Sequence, residues 1–447
     1  MSATTVTAPA AAPRPARPPG LPPGPRMPRV MQTVGWLNRP FQFVERARAR
    51  YGDVFTMKIG RDTFVVLSDP QDIKQVFTGD PAIFHAGASN IILLPFLGHK
   101  SVLLLDGAAH LQQRKLLLPP FHGEKMRQHV GLMQEIAERE VDTWPVGEPF
   151  AAQPRMQGLT LEVIMRIVFG VDEGDPLLAR LRLHLRAFLG STADAREMRK
   201  LLIYGPERAE RRRIYGAVLD PVDAVIAEVI AEHRELDDLA DRDDVLSMLL
   251  LARHEDGSPM DDVELRDELV TLLVAGHETT ATALAWALER LTRHPEALAR
   301  LTEDVRAGGE EYVDAVIRET LRLRPVLPFV GRKLTEPQTI GGWDLPAGVR
   351  VAPSIHLVHR RPELYPEPAA FRPERWLGVR TNPYTYLPFG GGVRRCLGAS
   401  FAETEMRAVL GAIVANVSLR PARPESERVG RRVITLVPAR GAEIIAA

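Results

Sequence analysis

Apolar and polar residues alternate over Val54–Ile59 and again over 63–67, interrupted by Gly60-Arg61-Asp62. A period of two broken by a glycine turn predicts an antiparallel hairpin. From about residue 106 to 322 the spacing becomes helical, in amphipathic stretches at 126–143, 159–169, 215–233, Val245–Leu251, 263–293 and 312–323. After Pro325 the chain turns Pro- and Gly-rich, and Gly341-Gly342-Trp343 and Pro346-Ala347-Gly348 predict turns between short strands. A last helix is predicted over 397–417 and a closing hairpin around 433–438. No internal repeat is visible, and no linker follows residue 40. The pattern predicts one large, mainly α domain with a small β portion, spanning 35–447.

Residues 1–30 hold nine of the 37 prolines with Arg14, Arg17, Arg26 and Arg29, and no acid precedes Glu45. Such a stretch lacks helix donors and apolar bulk, so 1–34 is expected to be a disordered or polyproline arm. It contains no run of signal-peptide length. The longest apolar stretch elsewhere, 269–288, has His277 and Glu278 at its centre, where lipid would penalise both. No transmembrane anchor is expected.

Across 447 residues, 57 basic side chains cancel 57 acidic ones, and 45% of residues are hydrophobic. That supplies a large core and gives no support for a nucleic-acid partner. A single cysteine excludes an intrachain disulfide framework, a Cys₄ zinc site and a cysteine-ligated iron–sulfur cluster on this chain. One thiol fits a reducing cytoplasm.

That thiol sits in Phe389-Gly390-Gly391-Gly392-Val393-Arg394-Arg395-Cys396-Leu397-Gly398. A lone cysteine is ordinarily a small core hydrophobe. Here three glycines allow a bulky flat partner to approach the backbone, while two arginines and a following helix start favour thiolate. A thiolate so placed is a nucleophile or a metal ligand. A cysteine-phosphatase loop wants an arginine six residues on, where Ala402 stands. A cysteine protease needs a positioned histidine, and twelve histidines leave that open. A ligand is the better reading.

Inside the long apolar helix lies Ala275-Gly276-His277-Glu278-Thr279-Thr280. The small residues make a notch, and the Thr279 hydroxyl can bond the Ala275 carbonyl four residues back. An acid beside an alcohol is costly there unless used, although a satisfied polar pair at a helix contact is the plainer alternative. Glu319 and Arg322 at i, i+3, and His110 and Arg114 at i, i+4, would by themselves be surface pairs.

Together these motifs resemble the cytochrome P-450 monooxygenases, over roughly residues 35–447. Phe389-x-x-Gly392-x-Arg394-x-Cys396-x-Gly398 matches that family's haem-binding loop. The resemblance implies haem b ligated by Cys396, with Phe389 and Gly398 beside the sulfur. His110, Arg114, Arg394 and Arg332 would meet the haem propionates. Glu278 and Thr279 would form the acid–alcohol pair that delivers protons, and Glu319, Arg322 and Arg375 a structural triad behind the cysteine loop. The missing apolar leader implies a soluble bacterial-type member, while 359–376 leans toward the eukaryotic-like pattern.

The implied reaction takes O2, two electrons and two protons. With one cysteine and no length after 447 for a flavin domain, electrons are expected from a ferredoxin and a ferredoxin reductase, met by Arg114, Lys115 and Arg395. The pocket is expected from Ile91, Ile92, Leu94 and Phe96, from Thr271, Val274 and Ala275, and from Phe329, Val330 and Thr435. Ordinary core is the alternative for 91–97. An apolar substrate of fatty acid, terpenoid or steroid class is expected, with a cytoplasmic monomer. Two alternatives remain: peroxide-driven oxidation or rearrangement, and haem-based binding or sensing without oxygenase activity.

Overall fold

Helices dominate wherever the 3.6-residue period dominates. The computed structural model describes residues 20–121, 128–170, 174–193, 200–201, 203–432 and 434–447. Its longest element is the helix Asp262–Thr292, started by a capping box in which Asp261 and Glu264 satisfy each other's backbone N–H. Its middle is walled in by Ala152–Phe169, Ala399–Asn416 and Glu311–Leu323. The predicted helices appear at Val130–Asp142, Ala152–Phe169, Gly216–Arg234, Val245–Leu251, Glu311–Leu323 and Ala399–Asn416; of the first prediction, 126–127 lie outside the described residues.

The β portion is led by a five-stranded sheet, with three smaller sheets beside it among the described residues. Val54–Ile59 pairs antiparallel with Asp62–Leu67, in register from Val54↔Leu67 to Ile59↔Asp62. Asp62–Leu67 runs parallel to Arg350–Pro353, followed by Arg332–Leu334 and Phe84–His85. Alternation along one strand splits the core: Val65 and Leu67 join the main helical core, whereas Val66 faces a smaller cluster with Trp36, Phe55, Met57 and Leu357. Gly341 and Gly342, both at positive φ, turn the hairpin Gln338–Ile340/Trp343–Leu345. Val429–Arg432 pairs with Thr435–Pro438 where the closing hairpin was expected, and Glu443–Ala446 bridges Pro149–Ala151 and Leu419–Pro421.

The arm expected over 1–34 enters the described residues at 20, and from there it is packed. Thr56 donates its N–H to Pro23 O (3.0 Å) and its hydroxyl to Pro22 O (2.6 Å), and Arg29–Asn38 is a helix against the first strand. Prolines do not prevent this, because the strand supplies the donors. Residues 1–19 lie outside the described residues.

Candidate active site

The glycines of the cysteine loop are required by what presses on them. A Cβ on Gly391 would stand 2.2 Å from the Phe77 ring, and one on Gly392 2.0 Å from the Phe77 carbonyl oxygen. Gly390 and Gly392 also hold φ near +68° and +67°. The loop closes when Cys396 N–H donates to Phe389 O (2.9 Å), and the helix Ala399–Asn416 follows. The cysteine side chain is accessible, yet protein crowds it closely enough that lost hydration dominates its ionisation. Burial pushes the thiol up, against the Gly398 amide and the positive charges of Arg395 and Arg114. An open side chain so enclosed faces an internal gap.

One end of that region is strongly cationic. His110 and Arg114 come from Gly107–Leu117, Arg332 from Arg332–Leu334 and Arg394 from the loop. His110 is 2% exposed and its Nδ1 has no partner. Burial, then Arg394, Arg114 and Arg332, hold its pKa at about 3, so the ring is neutral. Burial also pushes Arg332 and Arg394 down to about 10, and the charge of Arg394 adds to the effect on Arg332. Arg332 donates to Gly331 O (2.9 Å) and lies over the Phe77 ring. Arg394 donates to Asp106 (2.6 Å), to Val102 O (3.2 Å) and to Leu105 O. Asp106, which the sequence reading did not single out, also accepts from Gly87 N–H (2.8 Å) and Ala88 N–H (2.9 Å). It thereby fixes both Arg394 and the 84–90 segment.

On the long helix, the Thr279 hydroxyl donates to Ala275 O at 2.7 Å. Ala275 is exposed although the helix around it is largely buried, so it borders open space inside the fold. Glu278 accepts from Gln157 Nε2 (2.8 Å) and lies 3.5 Å from Arg432 Nη1, while its Oε1 is buried without a partner. Burial raises its pKa; Arg432 and then Gln157 oppose the rise. Neighbouring His277 is held at about 3 by burial, with Nδ1 2.8 Å from the Thr160 hydroxyl. Gln157 and Arg432 are distant in sequence, and no local pattern marks either.

Glu319, Arg322 and Arg375 share one buried network. Arg322 meets Glu319 through two bonds of 2.8 Å, and Arg375 Nε donates at 3.1 Å. Trp376 Nε1 (3.0 Å) and Arg372 N–H (2.8 Å) complete the carboxylate's shell. Arg322 also donates to the carbonyls of His359, Pro368 and Ala370, tying the chain that precedes the cysteine loop.

The pocket residues divide. Ile91 and Ile92 are half-buried and Val274 partly open, whereas Leu94 is closed into the core and Phe96 packs against Tyr215 (4.6 Å between centroids) and Phe188 (6.0 Å). Thr271 donates to Ser101 Oγ (2.7 Å), and buried Thr435 donates to Arg432 O (2.8 Å). Val330 approaches Gly390, with a methyl carbon 3.6 Å from where a Cβ would stand. Phe329 must be removed from the lining. Its ring packs on Trp36 (5.3 Å) and Phe64 (5.6 Å), because successive residues of an extended segment face opposite ways. A groove of about 560 Å³ elsewhere, lined by Glu45, Arg48 and Arg360, involves none of these residues.

Two propionates would neutralise the clustered guanidiniums and give His110 Nδ1 a partner, and Cys396 supplies a thiolate at the accessible gap. The residues fit a haem, and the fold and site define a thiolate-ligated haem protein. A family model described as Cytochrome P450 matches residues 18–441. "Putative cytochrome P450 135B1" of Mycobacterium tuberculosis is 44% identical over 435 residues, covering 95% of this chain and 91% of its own. "Putative cytochrome P450 138" of the same species is 38% identical, covering 95% and 96%. Among solved structures, "Crystal structure of cytochrome P450DA heme domain" aligns with TM-score 0.80 at 25% identity over 97% of this chain and 98% of that one. "Retinoic acid bound cyanobacterial CYP120A1" aligns with TM-score 0.79 at 22% identity over 96% and 99%, a likeness of fold. The chain belongs to the cytochrome P450 family. It is therefore a haem-thiolate monooxygenase that uses O2 and redox partners on hydrophobic substrates. Among the described residues, no helix is long and apolar enough to cross a membrane.

Proposed function

We propose that this P450 carries haem b on Cys396 and oxygenates an apolar small molecule of the fatty acid, terpenoid or steroid class in the cytoplasm. Its electrons come from a ferredoxin and a ferredoxin reductase. The observation that carries the reading is the pairing of Thr279, beside the open notch at Ala275, with a buried Glu278.

When bound, the haem supplies oxygen activation. The protein does the rest. Cys396 ligates as thiolate, tempered by the Gly398 amide and by Arg395 and Arg114. His110, Arg114 and Arg332 hold the propionates, and Arg394 acts beside them, oriented by Asp106. Thr279 spends its own proton on the Ala275 carbonyl, so toward the gap its oxygen is an acceptor that orients water. Glu278 is the acid, because burial raises its pKa and so favours its protonated form. Ile91, Ile92, Val274 and Ala275 offer partly open apolar surface for the substrate. Exposed Arg395, on the cysteine side, favours an acidic electron donor; Lys115 is exposed too, but pairs with Glu255 at 2.8 Å.

The test combines the reduced-CO difference spectrum of wild type and Cys396→Ser with turnover driven by NADPH, ferredoxin reductase and ferredoxin. The expected result is a thiolate-type Soret band lost in the variant, and oxygenated product from a panel of the three substrate classes. Product formed only with added peroxide, or a variant that keeps the band, would overturn it.

A further inference from the structure

The groove away from the haem site carries charges of both signs, and two of them do not meet. It measures about 560 Å³, enough for a small molecule, and Glu45, Arg48, Asp53 and Arg360 line it. Leu357, Pro368 and Ala369 supply apolar wall. Arg48 and Asp53 satisfy each other: Arg48 Nε donates to the carboxylate at 2.7 Å, and Arg361 Nη1 donates to it at 3.0 Å. Glu45 and Arg360 each act on the other's ionisation, yet among the described residues they form no ion pair.

Other bonds hold those two apart. Glu45 Oε1 accepts from His356 Nε2 at 2.8 Å, and that ring is fully buried and stacked on Phe41 with 3.7 Å between centroids. Burial holds His356 at about 4, so the ring is neutral and leaves the charge of Glu45 uncancelled. Arg360 donates from Nη1 to Pro368 O (3.2 Å) and from Nη2 to Leu323 O (3.5 Å), and its Nε is buried without a partner.

A second cation crowds the Arg360 end. Arg324 Nη1 donates to the same Leu323 oxygen (3.3 Å), and its Nε is also buried without a partner. Among the described residues neither guanidinium has a carboxylate within ion-pair distance. Burial, then Arg290 and Arg360, push Arg324 down to about 9; burial, then Arg322, push Arg360 down to about 10. Two enclosed cations converging on one carbonyl oxygen are poorly compensated, and an anion at Arg360 would relieve both.

We infer that this groove binds a small zwitterion with an apolar body, namely an apolar α-amino acid, free or as a short peptide. Its carboxylate takes the Arg360 end, its ammonium takes Glu45, and its side chain lies on Leu357, Pro368 and Ala369. A simple anion would be repelled by Glu45 and a simple cation by Arg360, so a ligand with both charges suits both walls. The bonds to His356, Leu323 and Pro368 fix the two ends before the ligand arrives. Pro368 O also accepts from Arg322 (2.8 Å), which ties the groove to the network behind the cysteine loop. The inference is independent of the substrate class proposed above.

The test is isothermal titration calorimetry of the full haem-loaded chain with leucine, leucylleucine, N-acetylleucine and leucinamide. Leucine or leucylleucine should bind, and the tighter of the two identifies the free or the peptide form. N-acetylleucine lacks the ammonium and leucinamide the carboxylate, so each should bind about tenfold more weakly or worse than leucine. Glu45→Gln keeps an acceptor for His356 but loses the charge, and Ala49→Trp fills the groove from an exposed position. Both variants should lose about tenfold in affinity while their CO spectra and turnover match wild type. No binding by leucine or leucylleucine, equal binding by N-acetylleucine or leucinamide, or wild-type affinity in Ala49→Trp would overturn the proposal. So would a Soret shift that tracks the calorimetric binding, which would place the ligand at the haem instead.

Discussion

Gln157 reaches from one central helix to another and donates its amide to Glu278, Nε2 to Oε2 at 2.8 Å. That bond favours the carboxylate, against the burial that favours the neutral acid. Burial and the Gln157 bond thus pull Glu278 in opposite directions, and burial prevails, which suits the proposed role of proton donor.

Replacing Glu278 with Gln should slow oxygen consumption itself, by about a hundredfold when proton delivery limits turnover. Because the carboxyl's pKa is raised, activity limited by its acid form should fall as pH rises through that value. Gln157→Leu removes a bond that stabilises the charged form, so the alkaline fall should move to higher pH. A pH profile of coupled turnover for the three proteins checks this; an unmoved limb in the Leu variant would assign the titration to another group.

Thr279→Ala removes the hydroxyl proposed to orient water at the Ala275 notch but leaves the cysteine loop and cation cluster intact. Substrate-induced spectral shifts should barely change. NADPH consumption should stay within several-fold of wild type, while product per NADPH collapses and hydrogen peroxide appears. Measuring NADPH, peroxide and product in one reaction decides it, and wild-type coupling would remove Thr279 from the relay.

Glu319 accepts from Arg322, Arg375, Trp376 and the Arg372 amide. Stripping its charge strands buried donors, at a cost of about 3–5 kcal/mol. Glu319→Gln and Arg322→Ala should therefore lower the melting temperature and the haem-to-protein ratio, whereas Thr279→Ala changes neither. Differential scanning calorimetry with haem quantitation reads both. Arg322→Lys should recover little, because an ammonium cannot replace the two-pronged guanidinium.

Glu268, fully buried on the long helix, accepts from Val102 N–H (2.8 Å), and burial pushes its pKa to about 8. Between the ordinary carboxyl value and about 8, the unfolded chain has released this proton and the native protein still holds it. Stability should therefore be highest below that window and fall by about 1.4 kcal/mol per pH unit across it. Glu268→Gln abolishes this contribution, so wild type should lose stability relative to the variant as pH rises from 5 to 8. Parallel denaturant titrations test the difference; parallel curves for the two proteins would contradict it.

Arg395→Glu should raise the apparent Michaelis constant for ferredoxin, more at low salt than at high salt. Steady-state kinetics against ferredoxin at two ionic strengths checks the effect; equal constants at both would place the docking surface elsewhere.

Local pattern carried far in this chain, and contact order explains where it stopped. Val54–Ile59 and Val245–Leu251 could be delimited from sequence because alternation and helical spacing are complete within a few residues. The helices Pro40–Tyr51, Pro70–Thr78, Pro176–Ala193, Pro206–Arg211 and Pro295–Arg306 were not assigned, since each opens on a proline that otherwise reads as a breaker. At the site, the Thr279–Ala275 bond spans a single helical turn and follows from sequence alone. Asp106, Gln157 and Arg432 become partners only through tertiary packing. Phe329 and Val330 illustrate the same limit within two residues, because which one faces the site depends on the strand's neighbours.

The Glu319 network takes its partners from 319–376, and the loop to Cys396 continues the same length of chain. The cysteine loop and the network behind it are therefore nearly contiguous in sequence, while Gln157, Glu278 and Arg432 are gathered from distant segments. Gly308 and Gly309 join Pro295–Arg306 to Glu311–Leu323 just before that contiguous stretch begins. A chimaera of two relatives joined at this seam should keep the Glu319 network and the cysteine loop together, provided that the Arg432–Glu278 pair and the cluster of His110 and Arg114 with Arg332 and Arg394 are matched across the join.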